Sequence, residues 1–593
     1  IEAILMTKTT TLLLSSALCL CPVVLLGQGA SPSSSPNSSQ GLDPATLTQK
    51  LAQPGNGEWA TYAGDYSQRR FAPYTQINAA NVKDLTLAWK SETLTAGPGG
   101  GGGGGMFFGR GGGGGAPTSI GGIATVQDMV NMPGSSSGTP RISGSPLEVN
   151  GIIYVSSPDN AWAVDARDGT VLWHYWWRSR GGTHIGNRGM AMYGDWLYLE
   201  TPDDVLVSLD AKTGKERWHK IISDFDEHYF STTAPVVVKN HLLVGTSDDL
   251  DAPGFIQSFD PVTGDLQWKH YNVPMAKGDP GADSWGTIDA AQHGGATYWM
   301  PGSYDPATNL YIFGTGNPIP AYSVDPRGAA AKDTDLYTCS IIALDVDTGK
   351  MKWYFQTSPD DTHDWDSSES PVLVDGTWDG QPRHMVMQAA RNGYFYVLDR
   401  DTGAHLLTSR FSPAANWAAE INAQGGVVRN PEKDSTIAGS LVSPTNGGST
   451  NWPPPTFDPQ TGLFYVGLHQ GYAMYYLTLK NTRLMMGLGG KEEDAVGSFP
   501  SSIAGIDYHT GKTVYNYEFP GGGPTGLLST AGGLLFSGDG AGNLVAYDAK
   551  TPQPLWHSHI GQVGNAAETY MLDGTQYVLS VADGTLYAFS LQK

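Results

Sequence analysis

The sequence of 593 residues is poor in cysteine, in positive charge and in long apolar runs. Its 3 cysteines are Cys19, Cys21 and Cys339. The first two lie in an N-terminal apolar stretch that reads as removable, which would leave one thiol and no internal disulfide. Neither follows a small residue, as a lipoprotein site would prefer. Cys-x-x-Cys-His does not occur, so the sequence carries no motif for covalent haem. Lys and Arg total 35 against 57 acids, a formal charge of −22. That balance excludes nucleic acid, whose phosphates demand basic patches. It suits a soluble extracytoplasmic protein, or one that attracts a basic partner. The apolar run Leu12 to Leu26 falls short of a membrane span, and no later run approaches one.

Lys8 precedes that run, and Gly27, Gly29 and Ala30 follow it, giving the three regions of a secretory signal peptide. The expectation is a signal peptide over 1–30, with 1–5 as readthrough upstream of Met6, and a periplasmic location. Residues 31–44, rich in Ser and Pro, read as a linker, and 45–593 as one folded domain. Within it, 97–115 is nearly pure Gly, interrupted by Met106-Phe107-Phe108 and Arg110. Such a tract buries too little to offset its ordering entropy, so it reads as a surface insertion, with Phe107 and Phe108 as lid candidates.

What the chain has in quantity is Gly, at 77, with 17 Trp and 28 Tyr, a composition for short strands and tight turns. An internal repeat organises them. Asp165, Gly169 and Trp173 recur as Asp210, Thr213, Gly214 and Trp218, as Asp260, Thr263, Gly264 and Trp268, and as Asp345, Thr348, Gly349 and Trp353. Weaker copies end at Leu407, Tyr515 and Trp556, and Trp89 on the strand Leu85 to Lys90 supplies an eighth position. Each copy is a strand, an Asp-Thr-Gly turn and a strand whose Trp packs on the next unit. The pattern predicts an all-β fold, an eight-bladed β-propeller with tryptophan-docking repeats, closed by an N-terminal strand in the last blade. Uneven gaps between copies call for insertions, where function is commonly placed.

Three segments outside the repeat carry chemistry: Thr297-Tyr298-Trp299, Gly314-Thr315-Gly316-Asn317-Pro318 and His363-Asp364-Trp365-Asp366. With the repeat, and with Asn187-Arg188-Gly189, Thr232 to Pro235 and Gly447 to Pro453, they make the chain resemble the pyrroloquinoline-quinone (PQQ)-dependent alcohol dehydrogenases. The resemblance runs from about Gly57 to Lys593. It implies an enzyme that oxidises an alcohol to an aldehyde by hydride transfer to metal-bound PQQ. Trp299 would be the stacking floor and Asp366 the general base, with Asp364 as the alternative base. Arg391 would stabilise the quinone oxygens, and Arg188 would bind cofactor carboxylates. Thr232, Thr297, Asn451 and Trp452 would complete the pocket. Asn317, Asp366 and Asp249 would hold the metal, with Asp248 or Asp251 open in place of Asp249. Relatives that use lanthanides carry an Asp two residues beyond the base, where this chain has Ser368, so calcium is implied. A soluble cytochrome c is the implied electron acceptor.

Two departures from the family pattern stand out. Known members carry a vicinal disulfide over the cofactor, five residues before the Arg; here Gly182-Thr183-His184 occupies that stretch, with His184 as a partial replacement. Ser143 stands where relatives often have Glu. Against the enzyme reading stand a non-catalytic propeller scaffold, similar to outer-membrane assembly factors, and a degenerate relative without bound PQQ. The acids crowded between Asp360 and Asp366 would also suit a solvated loop.

Overall fold

The computed structural model describes residues 41–592, except 56, 98–115, 126–137, 183, 228, 247–250, 324–326, 328–333, 479–489 and 495–498, with the backbone alone at 491–494. The signal-peptide reading therefore lies outside the described residues, as do nearly all of the Gly-rich insertion and most of the linker. Leu42, inside the linker by composition, is buried and pairs with Gly194.

Eight antiparallel units of four strands follow one another along the chain and form the propeller, and two of them gain a fifth, parallel strand, Thr118–Gly122 in the first and Phe71–Ala72 in the seventh. The third shows how sequence makes a blade. Its inner strands, Val236–Val238, His241–Gly245 and Phe255–Phe259, are buried throughout, because neighbouring blades cover both faces. Its outermost strand, Leu266–Tyr271, alternates between half-buried and exposed positions, because only one face meets a neighbour. The last blade is completed by Leu85–Lys90, which pairs antiparallel with the penultimate partner Thr585–Leu591. That is the predicted closure.

The repeat is a docking device between blades. In three of the turns the Asp carboxylate accepts both the Thr amide and its hydroxyl, at 2.8 and 2.7 Å for Asp210 and Thr213, with the same pair at Asp345 and Asp399. The turn ends on a Gly with positive φ, +65° at Gly349 and +71° at Gly403. The Trp of the preceding blade lies flat on it: a Cβ at Gly349 would stand 2.5 Å from Trp268, and one at Gly403 2.6 Å from Trp353. Only Gly meets both demands. The indole Nε1 then donates to a carbonyl of the next blade, Trp173 to Ala211, Trp268 to Val346 and Trp353 to Arg400. Trp89 donates to Ala166 and Trp556 to Leu85, so the same bond spans both sides of the ring's closure. Trp218 is the variation, since the Pro261 carbonyl already accepts Tyr198 and Arg217. In the weaker copies Leu407 packs beside Gly511, and Tyr515 donates to Asp548.

The segment from Trp59 to Arg70, before the first blade, meets the innermost strands or their edges in seven of the eight blades, and Leu42 meets the remaining one at Gly194. Trp59 bridges Glu148, Tyr66 donates to Val237, and the Tyr66 carbonyl accepts Tyr304. Carbonyls of Ser67, Arg69 and Arg70 accept Leu373, Phe457 and Ser529. Buried Arg70 donates to the carbonyls of Tyr62, Leu527 and Ala567. The uneven repeat gaps are insertions: a short helix Ile288–Gln292 and the stretch between Leu310–Gly314 and Ser340–Asp345 in the fourth blade, and two small sheets after the fifth. Of the candidate site residues, Asn317 lies in one of these insertions and Trp299 follows the short helix.

Candidate active site

Trp299 and Asn317 meet because their two segments run antiparallel. Gly295 bridges Pro318, the Ala296 amide donates to the Asn317 carbonyl at 3.1 Å, and Gly316 donates to Thr297 at 2.9 Å. The two glycines of Gly314-Thr-Gly316-Asn are there for close approach. A Cβ on Gly314 would collide with the Ser367 carbonyl, and one on Gly316 would lie 2.7 Å from Thr297 Oγ1 and 3.2 Å from Asp366 Oδ1. Their absence of side chains lets Ser367 donate to Thr315 and brings Asp366 onto Asn317.

Asp366 is fully buried and held by three donors. Trp299 Nε1 donates to Oδ2 at 3.0 Å, the Asn317 backbone N–H to Oδ1 at 2.6 Å, and Arg391 Nη2 lies 3.0 Å from Oδ2. Arg391 also donates to the Asp364 carbonyl at 3.0 Å, and the Asp364 carboxylate lies 3.7 Å from it. Asp366 thus makes the shorter contact of the two candidate bases. The loop that carries them is buried, not solvated. Asp360 pairs with Arg327 and Arg429, Asp361 accepts the amides of His363 and Trp365, and Trp365 stacks on His363 at 4.2 Å.

Above Trp299 lies a cavity of about 240 Å³ lined by Arg141, Ser143, Ile185, Arg188, Thr232, Trp299, Arg391, Asn451 and Trp452. The guanidinium carbons of Arg188 and Arg391 each stand 5.4 Å from the Trp299 ring centroid, and Arg188 is 4.7 Å from that of Trp452. The Thr232 carbonyl accepts the Arg188 amide at 2.9 Å. Asn451 turns its amide inward on the chain, accepting Trp452 N–H and donating to Gly447. The structure therefore gathers Arg188, Thr232, Trp299, Arg391, Asn451 and Trp452 around one space. Thr297, Asn317 and Asp366 belong to the layer beneath it and do not line the cavity.

An aromatic face with several guanidiniums suits a flat polyanion. For a cation, Asn317 commits its Nδ2 to Pro318 at 2.9 Å, which leaves the amide oxygen as the ligand atom. Asp248 and Asp249 lie outside the described residues. Asp251 is described and faces His293 at 3.5 Å. Among the described residues no cluster of three His, Cys, Asp or Glu forms a metal site.

Three residues, Ile185, Glu369 and Arg141, escape a reading by motif. His184 does not cover the cavity: its Nε2 lies 2.6 Å from Asp159. Burial opposes its charge, and the Asp159 carboxylate outweighs this and raises the His184 pKa. Its neighbour Ile185, 56% exposed, lines the cavity instead. Glu369 is buried, with its carboxylate 3.9 Å from Arg391 Nε. Burial pushes its pKa up to about 8 against the pull of Arg391. The run Asp366-Ser-Ser-Glu369 is the only sequence signal for it. Arg141 had none.

Comparison with known proteins places these features in context. The family model for the glucose/ethanol/alcohol dehydrogenase β-propeller domain, a PQQ family, matches residues 59–106 and 123–424. A second model, for the outer membrane protein assembly factor BamB, matches 500–593. The chain is 31% identical over 571 residues to the quinohemoprotein alcohol dehydrogenase ADH IIB of Pseudomonas putida, covering 91% of this chain and 75% of that one. It is 28% identical over 572 residues to the 1-butanol dehydrogenase (cytochrome c) of Thauera butanivorans, covering 90% and 75%. The crystal structure of the quinohemoprotein alcohol dehydrogenase from Comamonas testosteroni superposes with a TM-score of 0.75 at 27% identity, over 92% of this chain and 84% of that one.

Proposed function

Because the chain belongs to the PQQ-dependent alcohol dehydrogenases, we propose that the cavity on Trp299 holds PQQ and that Asp366, in the layer beneath, acts as the base in oxidation of an alcohol to an aldehyde. The observation that carries this reading is the direct bonding of Trp299, Asn317 and Arg391 to a single buried carboxylate. When bound, the quinone supplies the two-electron acceptor for the hydride of the alcohol carbon.

The chain's own residues do the rest. Trp299 offers a stacking face, and Arg188, between two indole rings, offers a planar fork for a carboxylate. Thr232, Asn451 and Trp452 shape the remaining wall. Asp366 accepts the hydroxyl proton, and Arg391 sits where negative charge develops. Thr297 acts by position, holding Gly316 and with it the Asn317 amide. A hard divalent cation would be held by the Asn317 oxygen, by Asp366 and by an acid of the Asp248 to Asp251 stretch, a set that suits calcium. Ser368 in place of a further carboxylate favours calcium over a lanthanide. The leader-like N-terminus supports a periplasmic location. A soluble cytochrome c would be the separate electron carrier, and the Thauera relative, a 1-butanol dehydrogenase (cytochrome c), supports a cytochrome c as acceptor.

A non-catalytic scaffold is the rival reading, and the BamB-type match to 500–593 favours it. That stretch contains none of the residues lining the Trp299 cavity. Purified protein reconstituted with PQQ and calcium should reduce an electron-accepting dye when given primary alcohols. Asp366→Asn should abolish turnover. Absence of both PQQ binding and turnover in the wild type would remove the enzyme reading and leave the scaffold.

A further inference from the structure

Within a chain that carries 57 acidic residues against 35 Lys and Arg, three guanidiniums converge on one cavity of about 240 Å³ whose lining contains no carboxylate. Two of them, Arg188 and Arg391, lie over the Trp299 ring. The third, Arg141, sits on the wall, exposed, and among the described residues it has no hydrogen-bond or ion-pair partner. Ile142 is buried in the apolar cluster with Trp89 and Tyr570, while its neighbours Arg141 and Ser143 both line the cavity. Serine at 143 puts no negative charge beside the guanidinium. A cluster of like charges is unfavourable unless an anion fills it, and bidentate geometry makes a carboxylate the fitting anion.

We propose that Arg141 is a cofactor-binding residue, gripping one carboxylate of the PQQ tricarboxylate from the wall that carries Ser143. The inference rests on the cofactor reading above and adds a residue to it. Arg141 exchanges bulk water for a carboxylate, whereas Arg391 already faces Asp366. The cavity thereby selects a polyanion over a neutral tricycle of the same shape.

The test is equilibrium binding, read by quenching of tryptophan fluorescence when apo-protein is titrated with PQQ or with its neutral trimethyl ester, with calcium present. Arg141→Ala should bind PQQ roughly ten- to a hundredfold more weakly than the wild type, the size of a lost charged hydrogen-bond pair. It should bind the ester within about twofold of the wild type. Arg141→Lys, which keeps the charge and loses the fork, should fall between. An unchanged thermal midpoint in Arg141→Ala, expected for an exposed side chain, shows that the fold is intact. Equal PQQ affinity in wild type and Arg141→Ala overturns the assignment and leaves the cofactor reading standing. Equal weakening for PQQ and ester overturns it too, because the contact would not be to a carboxylate. A wild type that binds neither ligand defeats the cofactor reading and this inference together.

Discussion

Trp299 Nε1 donates to Asp366 Oδ2 at 3.0 Å, so the aromatic face and the carboxylate form one unit and neither turns without the other. Trp299→Phe keeps the face and deletes the donor. Equilibrium dialysis should find PQQ affinity within a few-fold of wild type, while kcat falls on the order of tenfold because the base is less firmly oriented. A loss of affinity with kcat unchanged would contradict this division of roles.

Gly316→Ala would set a methyl 2.7 Å from Thr297 Oγ1 and 3.2 Å from Asp366 Oδ1. The strain, on the order of 1–3 kcal/mol, falls on the contact between Asn317 and Asp366. Turnover should drop by more than stability, as measured by kcat beside the thermal midpoint of the same preparation.

The docking repeat separates two costs that usually travel together. Gly403 has φ +71° and Trp353 lying on it, while Gly462 has the same φ of +71° and nothing within 4 Å. Gly462→Ala should cost about 1 kcal/mol from backbone strain alone. Gly403→Ala should lower the thermal midpoint further, because the ring must also shift. Equal losses would show that the indole contact contributes nothing.

Glu568 is buried, accepts the Ser145 hydroxyl and faces Arg70. Burial raises its pKa to about 8, with Arg70 opposing. In the unfolded chain it titrates near 4.3. Between these values the folded state binds more protons than the unfolded one, so this group's stabilisation is complete below the lower value and is lost as pH rises through about 8. Glu568→Gln should be flatter than wild type across that window in denaturant titrations at several pH values. Identical pH slopes would assign the proton elsewhere.

The blade count was legible in the sequence because the repeat is local. An Asp, a Thr and a Gly close a turn within a few residues, and the following Trp marks the outermost strand. All eight marked positions, from Trp89 to Trp556, lie on such strands. The Trp299, Asn317 and Asp366 segments were legible as pieces, and their meeting through Gly314 and Gly316 required the backbone. Arg70 was not legible, because its partners Leu527 and Ala567 come from the far end of the chain. The acids at Asp360 and Asp361 suggested solvent for the same reason: Arg327 and Arg429, which bury them, belong to insertions without a motif. Arg141 and Ile185 are single residues placed by loops, and no spacing announces them.

The strand Leu85–Lys90 takes its partners from Thr585–Leu591, about 500 positions later, as in the contact of Thr86 with Ser590. Its hydrogen bonds can form only after residues 585–591 have been made. Until then a nascent chain holds one unpaired edge at its start and another at its growing end, each open to wrong partners. Truncations that remove Thr585–Leu591 should therefore be more damaging than the few residues lost would suggest, since they delete the clasp of the ring.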